Sequence, residues 1–391
     1  MNAPLVLEHV RTSDGATIAV KRRRAAGPPV IFLHGLAVNA DLWDLPPIDG
    51  PNFRFRSLAS LLHERGFDVW LVNLRGHGAP HMLSLPAPGQ TDWCVDHFIL
   101  YDLPAVVDHV VAQRRAAPVV IGASMGAMTL AGYAQGACWD GTRVYADHAV
   151  AAERQARLAG LIFAEFPAAL RWPRSVYADD GRLRWDVLLA DFWRNDSDAN
   201  FPFEIMARLG WVEALVQSAG SVPLQWLRAA PFAAAAERIG PRFLSAFRSV
   251  EHRLAQAGLN LAGMFTGASQ HRAEVLLRGR RFVVADMKAG VLSQLRRCVQ
   301  AGAFVSALGD VRHIYSDHYQ QIVAPTLVLA GGRDRIANPE VTRSAFYEHI
   351  RSQEREFRLF DEIAHGELEA APLACQQVYP GVIEWIERRT R

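Results

Sequence analysis

The chain has 391 residues, a formal net charge of +2, half of its residues hydrophobic and about a fifth (21%) charged. That length exceeds the size at which one hydrophobic core usually stops growing, so one large domain with a substantial insertion, or two domains, is expected, and the composition excludes a disordered chain. A charge so close to zero gives no electrostatic reason to expect nucleic acid as a partner.

The first residues, MNAPLVLEHVRTSDG, lack a basic start followed by an apolar run of signal-peptide length, and no apolar stretch reaches membrane-spanning length, so a soluble cytoplasmic protein without stable membrane insertion is expected. Apolar runs at Leu5 to Val10, Thr17 to Arg22, Pro29 to Leu33, Phe67 to Asn73 and Val119 to Ala123 read as strands. The run Lys21, Arg22, Arg23, Arg24 has no aromatic residues interleaved and reads as a solvated turn between two early strands. Helical patterns cover Phe55 to Arg65 and Leu100 to Arg114, the second opened by a proline in its first turn. Strands alternating with helices of this length imply parallel βαβ units. The runs at Pro29 to Leu33 and Val119 to Ile121 are β-rich without alternation, as strands covered on both faces should be.

After a strand at Gly160 to Glu165 the rhythm changes. From about Pro167 to Gln321 the sequence is rich in Ala, Leu, Arg and Trp with helical periodicity, and its one candidate strand lies near Arg281 to Ala285. This stretch reads as a mainly helical cap inserted into the sheet, dividing the core into residues 1–166 and 322–391. Strands resume at Thr326 to Ala330 and Glu356 to Phe360, and Val378 to Arg388 closes the chain as a helix. Cys94, Cys138, Cys298 and Cys375 are far apart with no CxxC pair, which indicates neither a zinc knuckle nor a disulfide scaffold.

The segment PVVIGASMGAMTLAGYA, residues 118–134, carries the chemistry: an apolar strand, then Gly122-Ala123-Ser124-Met125-Gly126, then a helix. A serine on a sharp strand-to-helix turn needs small neighbours, because the adjacent backbones approach closely. A bare G-x-S-x-G arises by chance in roughly one chain in ten of this length, so its weight comes from the flanking strand and helix and from its partners. A serine hydroxyl needs a base to take its proton. Of the 14 histidines, His365 stands a few residues past a late strand, and Gly366 and a new helix follow it. His349 falls in a helical stretch, and His313 and His318 precede a strand, so these three are expected to be structural or surface residues. The acid behind the histidine is expected at Asp334 in TLVLAGGRDRIANPE. Asp361 lies only four residues before His365, too close for a facing pair in a short loop. Arg333 and Arg335 beside it read as solvated, or as helping to keep it ionised. Oxyanion donors are expected from the backbones of Met125 and of Leu36 in HGLAVNADLW, with His34 bracing that loop. His77 and His81 fall in a Gly- and Pro-containing loop, so no metal site is expected, and no cofactor.

At these residues the chain resembles the α/β-hydrolase fold superfamily, and more narrowly the acid lipase and gastric lipase branch. The likeness rests on HGLAVNADLW, GFDVWLVNLRGHG, YDLPAVVDHVV, GASMG, GGRDRIANPE and AHGEL, and covers roughly residues 28–135 and 322–391. It implies a mostly parallel central sheet flanked by helices, and lipid-ester hydrolysis by Ser124, Asp334 and His365 without a cofactor. One departure stands out: the elbow reads GASMG where that branch typically has GHSQG. GASMGAM also resembles the elbow of homoserine O-acetyltransferases, a shorter likeness that the flanking LRGHG and YDLP segments do not support.

Trp172, Trp185, Trp193, Trp211 and Trp226, with Phe192, Phe201, Phe203 and Phe232, fall in the expected cap. Ordinary helix packing accounts for most of them; any over the elbow would wall an apolar pocket, so a lipophilic small-molecule ester is the expected substrate. Two rival readings are an acyltransferase with the same three residues and a silent ligand-binding protein. A carboxylate would stand at Ser124 in an epoxide hydrolase or haloalkane dehalogenase. Substrate identity and oligomeric state are not written in the sequence.

Overall fold

The computed structural model describes residues 5–49, 54–171 and 285–390, with positions 178, 184, 221, 222 and 283 between them. Eight strands form one sheet: β1 Leu5–Arg11, β2 Thr17–Arg23, β3 Pro29–Leu33, β4 Asp68–Val72, β5 Val119–Ala123, β6 Gly160–Ala164, β7 Thr326–Gly331 and β8 Arg355–Phe360. They lie in the order β1-β2-β4-β3-β5-β6-β7-β8. The pairs β1/β2 and β2/β4 are antiparallel, and every later pair is parallel. The expected mostly parallel α/β sheet is thus present, with strand ends within two residues of those read from the sequence.

Both faces of the inner strands β3 to β7 are buried, which is why their sequences do not alternate in polarity, whereas the edge strand β8 is partly exposed. Ile31, Leu33, Trp70, Val72 and Val120 face one layer with helix α2 Leu103–Arg114, helix α3 Met125–Ala134 and helix α5 Ala289–Ala301. Val30, Phe32, Val69, Leu71, Val119 and Ile121 face the other, against helix α1 Leu58–Glu64 and helix α7 Tyr379–Thr390. Helix α4 His148–Ala156 packs alongside α3, its start capped by the Asp147 carboxylate, which accepts from Ala149 and Val150 amides. Helix α1 starts three residues later than the sequence pattern indicates, at Ser57 as N-cap, because Arg54–Phe55 pairs with Ile48–Asp49 as a two-stranded ribbon.

The basic run is not a solvated turn. Lys21, Arg22 and Arg23 belong to β2, and Lys21 and Arg22 are 9% and 5% exposed. Lys21 Nζ contacts Asp41 at 2.9 Å and Asp44 at 2.6 Å, Arg23 contacts Asp44 at 2.8 Å, and Arg22 holds Asp68 and Glu8. The acids that neutralise the run come from elements 20 to 46 residues downstream and from β1, so spacing within the run gives no sign of them.

Two carboxylates tie loops to the sheet. Asp102, of the YDLP stretch, accepts from the Arg75 guanidinium at 2.6 Å and the Arg75 amide at 3.0 Å, joining it to LRGHG. Asp96 accepts from Gln294 Nε2, the amides of Ala307 and Leu308 and the Tyr315 hydroxyl, all between 2.6 and 2.9 Å, and so anchors the segment after α5.

The cap expected over residues 167–321 lies for the most part outside the described residues, as do the five tryptophans and four phenylalanines named above. Its described end consists of a two-residue ribbon, Met287–Lys288 against Ser221–Val222, then α5 and a 3-10 turn at Tyr315–Gln321. The strand thus falls at Met287–Lys288, past the Arg281 to Ala285 stretch, where Val283 is helical and Ala285 lies outside any regular element. Among the described residues no helix is long and apolar enough to cross a membrane.

Candidate active site

Ser124 sits between the end of β5 and the start of α3 with φ 51° and ψ −115°, a left-handed-side conformation that L-residues avoid. The neighbouring glycines make that turn possible. A Cβ on Gly122 would lie 2.5 Å from the Gly126 carbonyl oxygen, and one on Gly126 would lie 2.7 Å and 2.8 Å from the carbonyls of Leu33 and His34. The turn is further held by the Ser124 amide, which donates to Ala164 O at the end of β6, 3.0 Å away. The serine hydroxyl is therefore presented at the carboxyl edge of the parallel strands.

His365 reaches that hydroxyl from the loop after β8. Its Nε2 is 3.0 Å from Ser124 Oγ, and its Nδ1 is 3.0 Å and 2.9 Å from the two oxygens of Asp334. Asp334 stands in the loop after β7, fully buried, and its Oδ1 also accepts from the amides of Ile336 and Ala337 at 2.8 Å and 2.7 Å. An ionised carboxylate only accepts, so it fixes the imidazole proton on Nδ1 and leaves Nε2 free to accept from the serine hydroxyl. The loops carrying the two residues are stitched together: the Arg333 amide donates to Ile363 O and the Gly332 amide to Phe360 O. Asp361, the rival acid in the sequence, is exposed in the turn after β8. Arg333 is exposed as expected, whereas Arg335 is 2% exposed and so is not solvated.

The loop after β3 passes against the serine. A Cβ on Gly35 would come within 3.3 Å of Ser124 Cβ and 3.8 Å of its Oγ, so a side chain there would crowd the hydroxyl. His34 is buried, donates from Nδ1 to Gly35 O at 2.9 Å and accepts at Nε2 from the Leu74 amide at 3.1 Å. In a trans peptide the N–H of Leu36 points opposite to that engaged carbonyl. Met125 begins α3, where amides lack helical partners and the helix dipole is positive. His77 packs its ring 4.7 Å from that of His34 and 6.0 Å from that of Phe98. Burial pushes the pKa of His34 well below the usual histidine range, helped by His77, and takes His77 down to about 4, so both rings are neutral at pH 7.

One residue of the site carries no assigned role in the sequence reading. Glu165 follows β6 directly, with φ 50°, and its Oε2 is 4.0 Å from His365 Nδ1. Burial, then the carboxyls of Glu369 and Asp334, push its pKa well above the usual carboxylate range. The readable signal is its place: a lone acid at the carboxyl end of an inner parallel strand. Glu165, Asp334 and His365 offer ligating atoms within 4.8 Å of one another. Those atoms already serve each other and four backbone amides, which leaves few lone pairs for a cation.

Placed over its whole length on a thermophilic esterase from Thermogutta terrifontis, the chain gives a TM-score of 0.51 at 17% identity, with 100% of each chain covered. The family model described as alpha/beta hydrolase fold matches residues 28–145. The chain has the α/β-hydrolase fold. A second model, of serine aminopeptidases S33, matches residues 213–369. Parts of the chain are distantly similar to lipases. It is 32% identical to triacylglycerol lipase 2 of Arabidopsis thaliana over 132 residues, 33% of this chain and 30% of that one. It is 34% identical to human gastric triacylglycerol lipase over 116 residues, 27% of this chain and 28% of that one. The matched stretches thus span about a third of the curated relatives' length.

Proposed function

We propose that the protein is a serine hydrolase that cleaves carboxylic esters through an acyl-serine intermediate. The observation that carries this reading is the continuous hydrogen-bonded line from Ser124 Oγ through the His365 ring to Asp334. In the reaction His365 Nε2 takes the hydroxyl proton as Ser124 Oγ attacks the ester carbonyl, while Asp334 stabilises the imidazolium that forms. The new oxyanion accepts from the amides of Met125, at the start of α3, and Leu36, turned by Gly35 and braced by His34. The imidazolium then protonates the leaving alcohol. Water activated by the same nitrogen attacks the acyl-serine and frees the acid. The segment over residues 167–321 is proposed to cap this site and select the acyl or alcohol group, and the lipase relatives favour lipophilic esters.

The test is hydrolysis of p-nitrophenyl esters of graded chain length by the wild type and by Ser124→Ala. A burst of p-nitrophenol is expected from the wild type and none from the variant. Equal turnover by both proteins would overturn the assignment of the nucleophile.

A further inference from the structure

The imidazole of His365 has a second carboxyl at its Nδ1 edge, and the reading above assigns it nothing. Glu165 is 1% exposed, and its carboxyl grips the chain immediately past the histidine: Oε2 accepts from the Gly366 amide at 2.5 Å and Oε1 from the Leu368 amide at 3.0 Å. Its backbone is held in the left-handed region at φ 50°, a conformation that costs a non-glycine residue of order 1 kcal/mol or more. The preceding residue, Ala164, accepts the Ser124 amide, and the Glu165 amide donates to Leu329 O on β7. One strained strand end therefore touches the elbow, the strand that leads to Asp334 and the loop that presents His365.

Resting on the serine-hydrolase reading, we propose that Glu165 is a positioning residue for His365 and a reserve acceptor for its Nδ1 proton, able to take the place of Asp334. The 4.0 Å gap from Glu165 Oε2 to Nδ1 is about 1 Å longer than a hydrogen bond, so a small ring or carboxyl movement closes it. In the intact site Asp334 holds the Nδ1 proton at 2.9 Å. Glu165 faces Asp334 from the β7 loop, Glu369 from the short helix α6 Glu367–Ala370 and Tyr379 from α7, besides His365 itself. Glu367 turns away to the Ala364 amide. Burial and these acids favour the uncharged form of Glu165, so it does not compete with Asp334 for the imidazole. Removing the Asp334 charge lifts one of the three influences that keep Glu165 protonated, and an imidazolium forming beside it favours its ionised form.

The experiment is fluorophosphonate inactivation and p-nitrophenyl ester hydrolysis from pH 6 to 10 by the wild type, Asp334→Ala, Glu165→Gln and the double variant. Circular dichroism confirms the fold of each. Asp334→Ala is expected to lose about 10²-fold, short of the roughly 10⁴-fold loss that disabling the acid of such a triad causes. Its activity should rise at higher pH than that of the wild type, as Glu165 is forced to ionise. The double variant should fall at least a further tenfold. A double variant within twofold of Asp334→Ala overturns the proposal. If Glu165→Gln does not fold, the pH profile of Asp334→Ala alone decides, and a midpoint unchanged from the wild type overturns it. Wild type that is labelled at Ser124 while the double variant matches Asp334→Ala sinks this proposal alone. Wild type that is not labelled at Ser124 sinks the serine-hydrolase reading and this proposal together.

Discussion

His365 Nε2 lies 3.0 Å from Ser124 Oγ across 241 positions of sequence, joined by the carboxyl edge of one sheet. If that hydrogen bond is the proton path, His365→Ala loses the base without disturbing the elbow, whose shape depends on Gly122 and Gly126. Its kcat/KM for p-nitrophenyl butyrate should fall by roughly 10⁴ to 10⁶. Its thermal midpoint should stay within a few degrees of the wild type. Steady-state kinetics beside a melting curve checks both, and a loss below tenfold would show that another group accepts the serine proton.

The His34–His77 pair gives the loop beside Ser124 a defined acid limit. Burial lowers the folded pKa of His77 to about 4, while the unfolded ring titrates near 6.5. Between these values the unfolded chain binds the proton and the folded one does not, so stability rises with pH through the window and is lost as pH falls toward 4. From pH 7 to pH 5 this residue alone should remove about 2 kcal/mol. Urea denaturation of the wild type and His77→Gln at the two pH values tests it: the variant should lose less stability on acidification by about that amount. His97 and His313, also lowered to about 4, contribute equally to both proteins.

Asp96 predicts where the described end of the cap detaches from the sheet. Its carboxylate accepts four donors, three of them on the chain from Leu308 back to Gln294 and the fourth on Tyr315. Asp96→Ala leaves those donors buried without an acceptor, at a cost of about 1–3 kcal/mol for each that water does not reach. The total should exceed about 3 kcal/mol. Limited proteolysis should then cut between residues 294 and 315 in the variant and spare the wild type. An Asp96→Ala protein with wild-type stability and protease resistance would mean that these contacts are replaced by solvent without loss.

The sheet and the three residues at its edge were readable because each depends on a local pattern. Apolar runs such as Pro29 to Leu33 mark strands covered on both faces, and the glycines of GASMG mark a turn with no room for side chains. Late-strand loops narrow the choice of histidine and acid. What was hidden depends on contacts made far along the chain. Glu165 looks like any strand-terminal acid until the loop of His365 folds over it. Arg335 reads as solvated beside Arg333, yet only the second is exposed. The run Lys21 to Arg24 misleads most, because charge density alone signals water, and the acids that answer it lie in other elements.

That last contrast can be measured at Arg22. Its Nε and Nη2 meet the two oxygens of Asp68 at 3.0 Å and 2.9 Å, and its guanidinium lies 3.9 Å over the Trp70 ring, whose own N–H donates to Asp68. Arg22→Met should cost about 3–5 kcal/mol, because it leaves the buried Asp68 carboxylate short of its bidentate partner although Arg114 still approaches it at 3.1 Å. Arg22→Lys keeps the charge but loses the fork and the stacking, so its cost should fall between those of Met and the wild type. Arg24→Ala, at a side chain 57% exposed, should change stability by no more than about 0.5 kcal/mol. Chemical denaturation of the three variants orders them. A solvated turn would place all three within about 0.5 kcal/mol of the wild type, whereas a strand buried against acids from β1 and β4 separates the first two from the third.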